Sequence, residues 1–475
     1  MESTKEQFYL RRIAELEKQV DGLLKVNAEL TAKVNSLTEQ VAKLSKNSSN
    51  SSKPPSSDIV KPPKAKPSNG SGKQGGQSGH RGVNRQPFRC EQIDHIEELY
   101  PNTCPNGHDS ILEPVDKTKT QQVVELPEKP VEITEYHLHA GRCPVCGEVI
   151  WAQLPHGVIE GQLFGPRLQT LIAYMKGSLH ASYTGLESFC QDVLNIDVAR
   201  SYLCNTVARV SDALSKPYEQ LAEHVPAEPI LNIDESGWKD NGNKYWIWVF
   251  SASLISFFHI AKSRSSRVLE EILGKTYGGT ITSDFYSAYV KYSNRLQQFC
   301  LAHLIRDIKF LTTLPGKNDK RFGQHLLTDF KRLFHLWHLR EKVPKDRFDR
   351  VMFRIKDRVL RLAEMQTRGE RSKSRTLAKR LVKHGDAIFR FLFDPGVEPT
   401  NNAAERSIRS AVIDRRITQG SRSLKGRQWN ARIWTVLETC KKQGRSSWQF
   451  LQDALSAHYF QTPTPVTPAS ANIEV

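Results

Sequence analysis

Apolar residues recur along the first 45 positions at alternating intervals of three and four. Ile13, Val20, Asn27, Val34 and Val41 fall seven apart, and Leu16, Leu23, Leu30, Leu37 and Leu44 fall seven apart between them. This a/d pattern predicts a coiled coil over residues 1–45. β-Branched residues at a with Leu throughout d favour two parallel strands, and Asn27 at an a position fixes the register. Arg12 at g can then pair with Glu17 at e of a second copy. From 46 to 87 large apolar residues nearly vanish. The runs PPSSD, KPPKAKP and GSGKQGGQSGHRG predict a basic tether, extended or disordered when free.

Residues 88–155 alternate Val, Ile, Glu and Tyr around cysteines and predict a small strand-built module. Residues 156–225 turn helical: Leu168, Leu171, Ile172 and Met175 share a stripe, Tyr183 to Val193 continues, and a break near Asn195 precedes Ser201 to Leu214. Two helices across a tight break fit a helix-turn-helix or plain helical packing. From 226 the period changes. Pro229 to Asp234 is a short apolar run, Asp240-Asn241-Gly242-Asn243 supplies a turn, and Lys244 to Ser251 returns as a second strand. Leu254 to Ile260 gives a third strand, Ser265 or Ser266 caps a helix through Leu273, and Thr280 to Asp284 gives a fourth. A short helix at Phe285–Tyr289, a strand at Gln298–Cys300 and a helix at His303–Leu311 follow. This order resembles the ribonuclease H-like fold, in which the first and fourth strands lie side by side. Residues 226–312 would form the first part of that α/β core. A basic helical stretch at 313–396 interrupts it, and 397–455 completes it. Thr400 or Asn401 can cap a helix carrying Glu405, Arg409 and Val412 on one face. The tail from 456 to 475 ends in Pro- and Thr-rich chain expected to be disordered.

Three acids stand out in that frame: Asp234 in PILNIDESGW, Asp284 in GTITSDFYSAYV and Glu405 in PTNNAAERSIRSAVIDRR. Magnesium takes oxygen ligands, and two ions roughly 3.5–4 Å apart clamp the attacking and leaving oxygens of an in-line phosphoryl displacement. Three carboxylates suffice to hold such a pair, and the chemistry needs no covalent nucleophile. Any one of the 51 acids could instead be a cap or turn residue. Glu235 should face away from Asp234 across the strand, and it and Glu398 remain the alternatives. Arg406, Arg409, Arg415 and Arg416 cluster past Glu405, where charge-assisted contacts to phosphates are their expected role.

With 68 Lys and Arg against 51 Asp and Glu, the net charge is +17. That balance suits a polyanion, most simply DNA. No apolar run reaches 18 residues and the N-terminus lacks an apolar signal core, so a cytoplasmic, nucleoid-associated protein is expected and a membrane is not. Eight scattered cysteines fit reduced thiols better than a disulfide framework. Cys104-x3-His108 and Cys143-x2-Cys146 read as two halves of a tetrahedral structural Zn²⁺ site, with Cys90 able to substitute in the first. Cys300-x2-His303 has metal-like spacing without a second pair, which favours a packed thiol and a capping or DNA-facing imidazole.

The pieces NIDESGW, SDFYSAY, CLAHLIRD and NNAAERSIR, with NSSKPPSSD and GGQSGHRG upstream, resemble bacterial transposases of the insertion sequence 66 family. The likeness spans nearly the whole chain. It implies an Asp-Asp-Glu core with Asp234, Asp284 and Glu405 as catalytic acids holding two Mg²⁺ ions. The implied reaction is strand cleavage and strand transfer of an insertion sequence, with DNA ends, target DNA, a second copy of the chain and accessory proteins of the same element as partners. A ribonuclease H-like nuclease without joining activity and a non-catalytic DNA-binding regulator are the alternatives. The expected whole is multidomain: coiled coil, zinc-binding module, helical DNA-binding region, and α/β core with a helical insertion.

Overall fold

A computed structural model describes residues 2–47, 86–100, 119–292, 296–369 and 371–465. Cys104, His108, most of the tether and the last ten residues lie outside that set. The chain divides into two compact units, residues 63–135 and the remainder. In the smaller unit, a turn at Cys90–Gln92 follows Phe88, whose backbone bonds the Gln122 amide in both directions.

The larger unit begins with α1 (Glu2–Leu44), a single helix whose a and d side chains are exposed, from 45% at Leu16 to 85% at Leu44. Arg12 pairs within its own helix, with Glu15 at 2.9 Å. Only the far end of the helix is covered: Ala42 is buried in the cluster formed by the later helices. A hairpin of β1 (Ala140–Arg142) and β2 (Val149–Trp151) precedes four helices, α2 (Pro166–Ser178), α3 (Tyr183–Asp192), α4 (Arg200–Ala213) and α5 (Ser215–His224). The α3 and α4 limits match the break read near Asn195, which takes a positive φ of 53°.

A five-stranded sheet follows. Its strands are β3 (Ile230–Asp240), β4 (Asn243–Ser251), β5 (Ser256–Ala261), β6 (Thr280–Ser283) and β7 (Gln297–Phe299), in the order β5-β4-β3-β6-β7. β3 turns into β4 at Asn241 and Gly242, both at positive φ, the geometry a two-residue hairpin turn demands. β3 therefore runs six residues past Asp234, the end expected for it. The first and fourth strands are neighbours, as the likeness to a ribonuclease H-like order implied, and they run parallel. Helix α6 (Arg267–Leu273) crosses from β5 to β6, and α7 (Ser287–Tyr292) crosses from β6 to β7. Leu231, Ile233, Trp248, Phe250, Ile281 and Tyr289 form the core on that face.

Helices α8 (Leu301–Thr312), α9 (Lys317–His338), α10 (Lys345–Thr367), α11 (Lys373–Lys383) and α12 (Gly385–Ile388) build a second core around Phe330, Leu333, Val359 and Phe389. Of these, α9 to α12 lie within residues 313–396, the stretch expected to interrupt the core. The chain then returns to the sheet through α13 (Asn402–Ser407), α14 (Arg409–Thr418), α15 (Leu424–Lys442) and α16 (Ser447–Phe460). The single helix expected through Glu405 and Val412 is interrupted at Ile408, so Glu405 and Arg409 sit on successive short helices.

Helix α15 covers the other face of the sheet and also finishes its edge. Thr435 and Thr439 accept the Phe258 and Ser256 amides through their hydroxyls, at 2.9 and 3.2 Å, and Thr439 donates back to the Ser256 carbonyl. A free edge strand presents unpaired backbone groups, and here side chains of a helix satisfy them. The helices of 156–225 join the same assembly: Arg432 of α15 bonds the Ser211 carbonyl of α4 at 2.9 Å, and Tyr459 of α16 bonds Gln169 of α2 at 2.8 Å.

Candidate active site

The parallel pairing of β3 and β6 aligns Ile230 with Thr280, Leu231 with Ile281 and Asn232 with Thr282. Two residues further along each strand lie Asp234 and, just past the end of β6, Asp284. The two acids are thus in step, because side chains two apart on a strand share a face. Asn232 shares that face with Asp234 and fixes what sits over it. Its amide donates to the Asn401 side-chain carbonyl at 3.1 Å, while the Asn401 amide donates to the Ile233 carbonyl at 2.8 Å. Asn401 does occupy the N-cap position, yet its side chain is spent on β3 instead of a helix N–H. One turn later comes Glu405, so the helix that carries the third acid is tied to the strand that carries the first. Ser407 adds a second tie, through hydroxyl contacts with Ser256 at 3.2 Å and Ser251 at 3.5 Å.

The acids act on one another electrostatically. Burial raises the Asp234 carboxyl well above its ordinary range, and the charges of Glu235, Asp284 and Glu405 push it further the same way. The Glu235 amide, bonded to Asp234 Oδ1 at 2.9 Å, opposes this only in part. Like charges crowded at a half-buried spot disfavour ionisation, and a cation among them reverses that penalty. Oxygen is the only donor Asp234, Asp284 and Glu405 offer, which fits Mg²⁺. Glu405 Oε1 is buried and has no hydrogen-bond partner, as an acceptor reserved for a further group would be.

Glu235 has a different setting, on the core face where its place along the strand puts it. Arg264 grips its Oε1 with Nη2 at 2.6 Å and Nε at 2.9 Å, and the Tyr289 hydroxyl donates a short bond to Oε2. The guanidinium lies 3.8 Å from the Tyr286 ring centroid and 4.5 Å from that of Trp246. Burial and then the Asp284 charge push the Glu235 carboxyl up to about 7, against the pull of Tyr289 and Arg264. Tyr286 in turn donates its backbone N–H to Asp284 Oδ1 at 2.9 Å. One network therefore braces Asp234 through its strand neighbour and Asp284 through the following turn. Glu398 stays outside it, meeting Trp337 and Arg340.

The arginine cluster divides. Arg415 bonds the Ser236 hydroxyl at 3.0 Å and the Gly237 carbonyl, so it fastens α14 to β3. Arg406, Arg409 and Arg416 are exposed. Arg427 pairs with Asp240 at 3.0 Å and lies over the Tyr245 ring.

Sequence reasoning set His303 aside, and the structure brings it to Glu405: His303 Nδ1 lies 3.8 Å from Glu405 Oε1, and both atoms are buried and unpartnered. Cys300 completes a group whose ligand atoms all lie within 4.8 Å of one another. Burial and Arg306 lower the imidazole pKa, while Glu405 and Asp284 raise it. The Cys-x2-His spacing was the signal available; its partner lies on a helix a hundred residues away. Arg264 and Tyr289 left no signal.

At the other cysteine pair, Cys143-Pro-Val-Cys146 forms the tight turn between β1 and β2. Cys143 accepts Gly147 N–H at its carbonyl at 2.9 Å, and Gly147 takes a φ of 75°. Backbone N–H groups of Cys146 and Val145, and then the Cys146 thiol, lower the Cys143 pKa. Amides aimed at a sulfur favour its thiolate, the form that binds metal.

A model of the family described as "Transposase IS66 family" matches residues 161–429, which contain all three acids and the whole sheet. The chain belongs to the IS66 transposase family. A family of unknown function matches residues 5–86. Among curated proteins, two uncharacterized proteins of Sinorhizobium fredii, y4hP and y4qI, are 23% and 25% identical over 78% of this chain, covering 74% and 72% of their own lengths. As in the IS66 family at large, transposition is the activity to account for. Among the described residues no helix is long and apolar enough to cross a membrane.

Proposed function

We propose that this IS66 transposase cleaves and joins DNA strands at a site formed by Asp234, Asp284 and Glu405, on a ribonuclease H-like core. The observation that carries this reading is the convergence of three acids from a parallel strand pair and a tied helix, at a spot where burial and then neighbouring negative charge raise the Asp234 pKa. Two divalent cations held by these carboxylates would supply charge neutralisation and activation of water or a 3′-hydroxyl.

The chain's own residues do the rest. Asp234 and Asp284 offer oxygens from a rigid sheet. Glu405 completes the set from α13, at a distance controlled by Asn401. Arg264, Tyr289 and Glu235 hold the strand behind them, keeping the acids in place without touching substrate. Exposed Arg406, Arg409 and Arg416 are suited to phosphates; Arg415, whose guanidinium is engaged by β3, acts first as a positioning residue. The open a/d seam of α1 supports a parallel dimer, and the Cys143–Cys146 turn offers two thiols suited to structural zinc.

The test is a marked mini-element built from the DNA flanking the gene, supplied with this protein and the neighbouring open reading frames. Insertions with wild type and none with Glu405→Gln are expected. Equal mobilisation by both would reject Glu405 as the third carboxylate. Strand cleavage without insertion would favour a nuclease.

A further inference from the structure

Cys300, His303 and Glu405 differ in kind from the all-oxygen set. Cys300 lies at the N-cap of α8, directly after β7, and His303 follows in the first turn. Three residues on a helix return to the same face, so sulfur and imidazole turn together toward Glu405 on α13. The His303 Nδ1 and Glu405 Oε1 atoms face each other, buried and unpartnered, across a 3.8 Å gap too long for a hydrogen bond. The Cys300 sulfur accepts the Asn401 N–H at 3.2 Å, the outer hydrogen bond that stabilises a metal-bound thiolate. A metal-bound sulfur is a thiolate, so cation binding there would release the Cys300 proton to solvent. Arg306 is the opposing charge near His303; Asp284 and Asp307 offset it.

We propose that Cys300, His303 and Glu405 form a second cation site, for Zn²⁺, that overlaps the catalytic site by sharing Glu405. Thiolate and imidazole select a borderline-soft ion, whereas carboxylates alone suit magnesium. Three protein ligands leave a fourth position open. Zinc held there draws Glu405 away from Asp234 and Asp284, and so inhibits strand cleavage reversibly. The sharing of Glu405 rests on the function proposed above; the cation site itself rests on the geometry of the three side chains.

The experiment uses full-length protein carrying Cys143→Ser and Cys146→Ser, which silence the other thiol pair, titrated with Co²⁺ as a spectroscopic substitute for Zn²⁺. A thiolate-to-cobalt absorption that saturates at one equivalent and is displaced by Zn²⁺ is expected. It should vanish in Cys300→Ser and, as a variant at a less buried position, in His303→Asn, with circular dichroism verifying the fold. Absence of the band in a folded protein, or its survival in both variants, overturns the site. Zn²⁺ should then inhibit Mg²⁺-supported cleavage by wild type and spare Cys300→Ser. Equal inhibition of the two, or cleavage that does not depend on Glu405 despite a cobalt band, overturns the sharing. Cleavage lost in Glu405→Gln with no cobalt band overturns the zinc site alone and leaves the catalytic reading standing.

Discussion

The two faces of β3 each hold a carboxylate, one residue apart; burial raises the pKa of both, but only one is given a counter-charge. Glu235 faces the apolar core and is gripped by Arg264 and Tyr289. Asp234 faces α13, where the charges of Asp284 and Glu405 act on it, and among the described residues no ion pair compensates it. The first arrangement holds the fold in place. The second stores repulsion that a bound cation would relieve, and that contrast separates the bracing carboxylate from the proposed catalytic ones.

Breaking the open face should cost the most function. Asp284→Ala is expected to reduce strand cleavage to background while DNA binding, measured by gel shift, stays near wild type, because binding draws on basic surfaces elsewhere. Lost binding with cleavage retained would end the assignment. On the braced face, Glu235→Ala leaves the Arg264 guanidinium, 35% exposed and stacked on two rings, without its partner. It should destabilise the protein by about 2–4 kcal/mol in urea unfolding, less than breaking a fully buried pair because Arg264 is partly solvated, and a loss under about 1 kcal/mol would mean that the pair is solvated.

Next in size is Asn401→Ala, which strands the buried Ile233 carbonyl and frees α13. We expect about 1–3 kcal/mol of lost stability and a cleavage rate reduced more than DNA affinity. The smallest effect is on pH dependence without metal. A carboxyl whose pKa is raised by folding keeps its proton longer in the folded chain, so its contribution is greatest at low pH and is lost as pH rises through the folded value. In EDTA, stability should therefore fall from about pH 4.5 to about pH 7, the interval that the Glu235 shift spans. Asp234→Asn should make this slope shallower and raise the melting temperature in EDTA. Saturating Mg²⁺ should do the same for wild type, by binding the folded state. A slope of the opposite sign would mean that the acids are not crowded.

Much of this fold was legible beforehand. The strand and helix order from Pro229 to Leu311 followed from period changes and from turn residues such as Asn241-Gly242, because local backbone preferences set them. The acids stood out by their positions at strand ends and on a helix. What escaped was tertiary pairing. Arg264 and Tyr289 lie 29 and 54 residues from Glu235, with no local pattern to link them. Asn401 looked like a helix cap because Asn commonly caps, and it was diverted to β3 by a buried carbonyl that needed a donor. Arg415 looked like its neighbours Arg406, Arg409 and Arg416, which are exposed, until the fold put Gly237 within its reach.

The sequence by itself determined the family, the alternation of strands and helices, and which acids could serve, since these depend on residue type and spacing along the chain. Tertiary structure alone decided that Asp234 stands unpaired while Glu235 is braced, and that His303 and Cys300 meet Glu405. The reason is physical: burial and charge pairing depend on which distant segments come into contact, and a one-dimensional pattern carries no such distance.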